Sequence, residues 1–145
     1  MPHDVTVRPA TGEDLTGILG VLDAGALATD ADRVRASIDR GDAFVAVRSD
    51  ADGEPATILG ALVLVDAAGA ERSDGTAEID AVAVRRGRRG QGIGRALVRA
   101  AGERYDRLVA EFDAGVRPFY ENLGFTVRAV DGEERFRGSI DCEER

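Results

Sequence analysis

Two apolar periods alternate along the chain, and together they predict an interleaved series of strands and helices. In residues 77–84, Ile79, Ala81 and Ala83 lie on one side and Val82 and Val84 on the other, a period of two that is typical of a strand. Similar apolar runs predict strands at residues 5–7, 44–47, 58–65, 108–112, 125–130 and 135–140. Apolar spacings of three and four predict helices at residues 15–22, 32–39 and 116–123, and another that begins at residue 91. This order of elements predicts an α/β protein.

Turn signals connect these elements without dividing the chain. The Asp- and Gly-rich residues 49–55 join two strands into a hairpin, and Asp131-Gly132 is a strong turn dipeptide between the last two strands. Residues 66–75 are predicted to be a loop before the central strand. A chain of 145 residues is long enough for one substantial core. We therefore expect one domain over residues 1–145, with a mixed sheet of about seven strands flanked by helices.

A turn rich in arginine and glycine follows the central strand. Residues 85–90 contain four arginines and two glycines, and a helix is predicted directly after them. Gly90, Gly92 and Gly94 leave the start of that helix without side-chain bulk, so its unpaired N–H groups can contact a ligand directly. These donors and the helix dipole favour an anion, most often a phosphate.

The glycine spacing distinguishes between kinds of phosphate loop. A dinucleotide-binding turn needs G-x-G-x-x-G, but the third glycine here comes one residue early, at Gly94. A Walker A loop needs a lysine, and the chain contains none. A tight turn that binds no ligand is the remaining alternative for this stretch.

The charge of the chain is strongly acidic. The 19 cationic residues, all arginines, are outnumbered by 27 carboxylates, which gives a net charge of −8. This balance argues against nonspecific nucleic-acid binding, and it suits a halophilic protein whose carboxylates are screened by a high-salt cytoplasm. Cys142 is the single cysteine, so no internal disulfide is expected, and neither it nor His3 has a partner for a metal site. The sequence has no membrane-length apolar run and residues 1–11 no signal-peptide core, so we expect a soluble, cytoplasmic protein.

Two motifs resemble those of the GNAT family of N-acetyltransferases. The hexapeptide Arg89-Gly90-Gln91-Gly92-Ile93-Gly94 is similar to the family's Q/R-x-x-G-x-G/A pyrophosphate loop. The segment Phe119-Tyr120-Glu121-Asn122-Leu123-Gly124-Phe125 is similar to its F-Y-x-x-x-G-F block, and Val7 to Leu15 looks like the family's first strand and helix. The resemblance therefore covers nearly the whole chain. It implies a GNAT fold with a splayed pair of central strands.

The same resemblance implies where acetyl-CoA would bind. The loop residues Arg89, Gly90, Gln91, Gly92, Ile93 and Gly94 would hold the pyrophosphate. Pantetheine would pair with the backbone of Val82, Ala83 and Val84, and one N–H there would stabilise the oxyanion. Phe119 and Asp113 complete the predicted cofactor site. Because Asp113 stands where many family members have asparagine, it can accept a hydrogen bond but cannot donate an amide N–H.

The catalytic assignments also come from the resemblance. Tyr120 occupies the position of the tyrosine that protonates the departing thiolate, although it could instead be a core residue beside Phe119. Glu78 looks like the strand glutamate that acts as general base in histone-acetylating members. Asp80 lies two residues along the same face of the strand and, like water, is an alternative base.

The function that these assignments imply is transfer of an acetyl group from acetyl-CoA to a primary amine of a small molecule, peptide or protein. The alternative is a non-catalytic CoA-binding or regulatory domain on the same fold. No metal, nucleic acid or membrane partner is expected, and a homodimer is compatible with the sequence. We expect acceptor specificity to come from residues 22–40 and 66–75, because loops over a rigid scaffold carry recognition.

Overall fold

The computed structural model describes residues 4–24, 31–48, 57–66, 75–130 and 135–141. The elements in chain order are β1 (Val5–Pro9), α1 (Leu15–Ala24), α2 (Ala31–Arg40), β2 (Ala43–Arg48), β3 (Thr57–Asp66), β4 (Thr76–Val84), α3 (Ile93–Gly102), β5 (Arg107–Asp113), α4 (Arg117–Asn122), β6 (Thr126–Val130) and β7 (Arg135–Asp141). The predicted turns at residues 49–55 and 131–132, most of the 66–75 loop, His3 and Cys142 lie outside the described residues.

The seven strands form one mixed sheet in the order β1-β2-β3-β4-β5-β7-β6. β4 and β5 are parallel, whereas β1 with β2, β2 with β3, β5 with β7, and β6 with β7 are antiparallel. The α/β class and the mixed seven-stranded sheet are therefore confirmed. The parallel register joins Thr76–Glu78 of β4 to Arg107–Val109 of β5, three residues on each strand. The splayed central pair stays a prediction.

Contacts within the chain group into two compact units. The first unit comprises Met1–Leu64 and Asp80–Ala101, and the second comprises Val65–Ile79 and Gly102–Arg145. The expectation of a single domain stays a prediction.

The core of the first unit lies between α1, α2 and the strands β2 to β4. Its buried residues include Ile18, Val21, Leu22, Val34, Ile38, Val45, Ala61, Val63 and Ala81. The chain enters α1 through a capping interaction, since the backbone N–H of Thr11 donates to Asp14 Oδ2 at 2.8 Å. Arg8 donates to the same oxygen at 2.8 Å, so β1 and the start of α1 are joined by a partly buried ion pair.

α3 packs closely on the sheet of the first unit because β3 has a glycine at the contact. A Cβ atom at Gly60 would lie 3.1 Å from the carbonyl oxygen of Ala83 and 3.2 Å from Leu97 Cδ1. Ile93 and Leu97 are both buried, which fixes the apolar face of α3 against the sheet. The start of α3 is therefore held next to the end of β4.

The second unit is built around aromatic side chains. Phe112 of β5 stacks on Tyr120 of α4, with ring centroids 4.3 Å apart and planes 11° from parallel. Phe125 packs edge-on against Tyr120 at 5.1 Å. A Cβ at Gly138 of β7 would come within 3.3 Å of both Phe112 and Phe125, so a glycine there gives the rings their space.

Candidate active site

The turn after β4 is held by its own arginine side chains. Arg85 Nε donates to the carbonyl oxygen of Ile58 at 2.7 Å, and Arg89 Nε donates to that of Val84 at 3.0 Å. Arg88 forms an ion pair with Asp4 at 3.0 Å, and this hydrogen bond is the main reason why the pKa of Asp4 lies below its usual value. The arginines of residues 85–89, which form a cationic cluster in the sequence, therefore also hold the backbone of the turn in place.

Two glycines give the turn its shape. Gly90 and Gly92 have φ angles of 81° and 86°, in the left-handed region that side chains disfavour. A Cβ at either position would meet no atom within 4 Å, so the space in front of both residues is open. This is where the pyrophosphate loop was predicted, and the open space fits a ligand that approaches the backbone closely.

The backbone donors at the start of α3 face this turn. The N–H of Ala96 donates to the carbonyl oxygen of Gly92 at 3.0 Å, so Gly92 is the residue that caps the helix. The N–H groups of Ile93, Gly94 and Arg95 come before this bond and belong to the first turn of the helix, where backbone donors point toward the N-terminal end. They are suited to bind an anion, and the dipole of the ten-residue helix adds to the attraction.

The backbone of β4 alternates between two directions. The N–H of Arg85 donates to the carbonyl oxygen of Leu59 on β3 at 2.8 Å, and the carbonyl oxygen of Ala83 lies on the same side, next to Gly60. Because the backbone groups of successive strand residues point to opposite sides, those of Val82 and Val84 are directed away from β3. Val82 and Val84, rather than Ala83, therefore have the orientation to pair with an added strand-like ligand.

The carboxylates of β4 differ in their surroundings. Asp80 Oδ1 forms an ion pair with Arg33 Nη2 of α2 at 3.0 Å, and the Asp80 side chain is 21% exposed. Glu78 lies two residues earlier on the same strand and is half-buried. The burial pattern of β4 confirms the alternation read from the sequence, with Ala77, Ile79 and Ala81 buried between the half-buried Glu78, Asp80 and Val82.

Tyr120 lies in the aromatic cluster of the second unit, and only 6% of its surface is exposed. In addition to Phe112 and Phe125, the ring of Phe119 packs edge-on against it at 5.1 Å. Burial raises the pKa of the Tyr120 phenol above its ordinary value, because the charged phenolate would be poorly solvated. The phenol therefore retains its proton at neutral pH, which is the form that a general acid requires.

Asp113 begins the turn that leads into α4. Its Oδ1 accepts a hydrogen bond from the N–H of Gly115 at 2.9 Å and so caps a single 3-10 turn, Ala114–Val116. An aspartate performs this capping as well as an asparagine does, because only an acceptor is needed. Its predicted contact with the cofactor stays a prediction.

Two contacts of the site could not be found by sequence reasoning. The pairs Arg33 with Asp80 and Arg88 with Asp4 each join residues far apart in the chain. No motif or spacing marks them, since any of the arginines could have paired with any of the more numerous carboxylates. Within the described ranges, no group of three or more His, Cys, Asp or Glu side chains is arranged to hold a metal ion, and no helix is long and apolar enough to cross a membrane.

Comparison with known proteins identifies the family. Residues 39–127 match the family model of the acetyltransferase (GNAT) domain, which is more than half of the chain. The chain therefore belongs to the GNAT acetyltransferases, a family of acyltransferase enzymes. The matched region contains the glycine turn, both carboxylates of β4 and the Tyr120 segment. No curated protein matches the chain.

Solved structures share the fold. YncA from Salmonella typhimurium, with its cofactor acetyl-CoA, has a TM-score of 0.70 and 19% identity over 99% of this chain and 96% of its own. A chain of the NatC complex bound to Gag peptide and CoA has a TM-score of 0.72 and 19% identity over 95% of this chain and 98% of its own. N-acetylglutamate synthase from Neisseria gonorrhoeae, complexed with CoA and N-acetyl-glutamate, has a TM-score of 0.71 and 17% identity over 99% of this chain and 36% of its own.

Proposed function

We propose that the protein is an acetyl-CoA-dependent N-acetyltransferase that acts on a primary amine of a small molecule, peptide or protein. The observation that carries this proposal is the glycine turn at the start of α3. Its backbone has open space at Gly90 and Gly92 and presents the first N–H groups of a helix. Similar structures that hold acetyl-CoA or CoA support the choice of cosubstrate.

In this proposal the turn and β4 bind successive parts of acetyl-CoA. The N–H groups of Gly92, Ile93, Gly94 and Arg95 bind the pyrophosphate, and pantetheine runs back along β4. Because the backbone of Val82 is directed away from β3, its N–H is the donor that we assign to the oxyanion of the tetrahedral intermediate. Arg89 Nε holds the carbonyl oxygen of Val84 at 3.0 Å and would have to release it for pantetheine to pair there.

We assign the proton transfers to Glu78 and Tyr120. Glu78 accepts the proton of the acceptor amine, directly or through water, and Asp80, which forms an ion pair with Arg33, is the alternative base. Tyr120 donates its proton to the thiolate of CoA as the tetrahedral intermediate collapses. Its neutral form is favoured by the aromatic rings around it. Phe119 and Asp113 complete the cofactor site in this proposal.

The acidic, lysine-free composition leads to two further parts of the proposal. The protein would work in a salt-rich cytoplasm, where dense carboxylates remain well solvated and their repulsion is screened. A homodimer is compatible with the proposal, but the chemistry above needs residues of one chain only.

The test separates cofactor binding from turnover. Calorimetry should show that acetyl-CoA binds, and release of the free CoA thiol should follow when a panel of amines is added. Binding without turnover of any amine would favour the non-catalytic CoA-binding domain. Absence of acetyl-CoA binding would refute the proposed function.

A further inference from the structure

An arginine of α2 reaches the stretch of β4 that precedes the proposed cofactor segment. Arg33 Nη2 lies 3.0 Å from Asp80 Oδ1, and 55% of the Arg33 side chain is exposed. The other arginines of α2 are used differently. Arg35 pairs within the helix with Asp32 at 3.7 Å, and Arg40 binds the buried carboxylate of Asp42.

The position of this pair along β4 determines what it can contact. The pyrophosphate turn follows Val84, so pantetheine runs from that end of β4 toward its beginning, and the thioester is assigned to Val82. Asp80 is two residues further on, about 7 Å along the strand. In the proposed arrangement, the guanidinium of Arg33, which lies beside Asp80, is therefore beyond the thioester on the side where the acceptor would approach.

We infer that Arg33 recognises a carboxylate on the acceptor, so that the preferred substrates are amino acids or short peptides with a free carboxylate near the amine. This inference rests on the proposed function. A guanidinium has five N–H donors in a planar fork, and an ion pair with one oxygen of Asp80 leaves enough of them for a second carboxylate. Within the described part of the chain, Arg33 forms its ion pair with Asp80, and this contact orients the guanidinium.

The opposite charges of the pair suit such an acceptor. Its carboxylate would bind the exposed edge of Arg33, while its amine, before it loses a proton, would be attracted to the carboxylates of Asp80 and Glu78. An amine without a carboxylate would leave the guanidinium of Arg33 without this partner. Selectivity would therefore depend on a group of the acceptor that takes no part in the reaction, as expected of a specificity-determining residue.

The experiment compares matched acceptors that differ only in this group. Initial rates with saturating acetyl-CoA would be measured for free amino acids and dipeptides and for their C-terminal amides. Wild type should prefer the free carboxylates. Arg33→Ala should lower kcat/KM for the carboxylates by about 10- to 100-fold, the range expected for a lost hydrogen bond to a charged group, and should leave the amides nearly unchanged. Compared with Arg33→Ala, Arg33→Lys should restore part of the preference for free carboxylates, because lysine keeps the positive charge but lacks the planar set of N–H donors.

The control is Arg35→Ala, on the same helix and similarly exposed, which should leave the preference unchanged. A purely structural role of Arg33 would lower the rates for acids and amides by the same factor, and this result would overturn the inference. Equal use of acids and amides by wild type would overturn it as well, and in both cases the proposed acetyltransferase would stand. If calorimetry detects no binding of acetyl-CoA, the proposed function fails and the inference fails with it.

Discussion

Replacement of Gly92 by valine tests the pyrophosphate turn most directly. Gly92 has a φ angle of 86°, and a side chain in this conformation costs roughly 1–2 kcal/mol, slightly offset because valine also restricts the unfolded chain. This is a small part of a stability of about 5–15 kcal/mol, so the variant should still fold. Because a Cβ at this position would meet no atom of the protein within 4 Å, the valine would occupy the space that we assign to the phosphates.

The expected loss of affinity follows from the hydrogen bonds at this turn. An N–H that binds a charged group contributes about 1.5–3 kcal/mol, so displacing the pyrophosphate from one donor should weaken CoA binding by about 10- to 100-fold. The assay is calorimetry of the folded variant with CoA and, separately, with pantetheine, which lacks the pyrophosphate. Pantetheine binding should change little.

Gly87→Ala provides a matched control for Gly92→Val. Gly87 lies in the same turn, a Cβ there would also meet no atom within 4 Å, and its φ angle is not in the left-handed range. The control should therefore bind CoA with wild-type affinity. The reasoning would be refuted if folded Gly92→Val bound CoA as tightly as the wild type, because the phosphates would then lie elsewhere.

Three further predictions concern the catalytic acid, the entry to α1 and the surface charge. Tyr120→Phe keeps the aromatic packing but removes the acidic proton, so kcat should fall by about 10²- to 10⁴-fold while the affinity for CoA stays almost intact. An unchanged kcat would show that Tyr120 is a packing residue. Burial tends to raise the pKa of Asp14, but hydrogen bonds from Arg8 and Thr11 outweigh burial and hold this pKa below its usual value. The ion pair between Asp14 and Arg8 therefore stabilises the fold fully above about pH 4, and it stabilises the fold less as the pH falls through the lowered pKa. Asp14→Asn should accordingly lower the melting temperature more at pH 7 than at pH 3, and an equal decrease at both would contradict the assignment. The net charge of −8 predicts a melting temperature that rises between low and molar KCl, whereas a flat or falling value would exclude the halophilic interpretation.

The sequence predicted most of the fold because local periodicity determines most of it. The apolar alternation of Ile79 and Ala81 is the alternation of buried residues along β4, and the spacing of Ile93 and Leu97 is the buried face of α3. Helix starts were predicted less accurately. Helix α3 begins at Ile93 and not at residue 91, because the left-handed conformation of Gly92 interrupts the helical backbone.

The geometry of the candidate site was predictable from the sequence where it depends on the backbone, and less so where it depends on long side chains. Glycine spacing identifies the turn around Gly92, because few other residues adopt that conformation. The pairing of Arg33 with Asp80 depends on how α2 packs, and the sequence gives no local sign of it. The orientation of the Val82 and Val84 backbone away from β3 likewise follows from the hydrogen bond that joins Arg85 to β3, which the sequence does not reveal.

The two arginine side chains that donate to backbone carbonyls at the end of β4 have a thermodynamic consequence. Arg85 and Arg89 connect the turn to β3 and to the last residue of β4, so folding itself restricts the loop to which we assign the phosphates. A preordered receptor loses little conformational entropy when its ligand arrives. Binding of the phosphates should therefore not require the slow ordering of a mobile loop, and the rearrangement that remains is the release of the Val84 carbonyl oxygen by Arg89 as pantetheine pairs with β4.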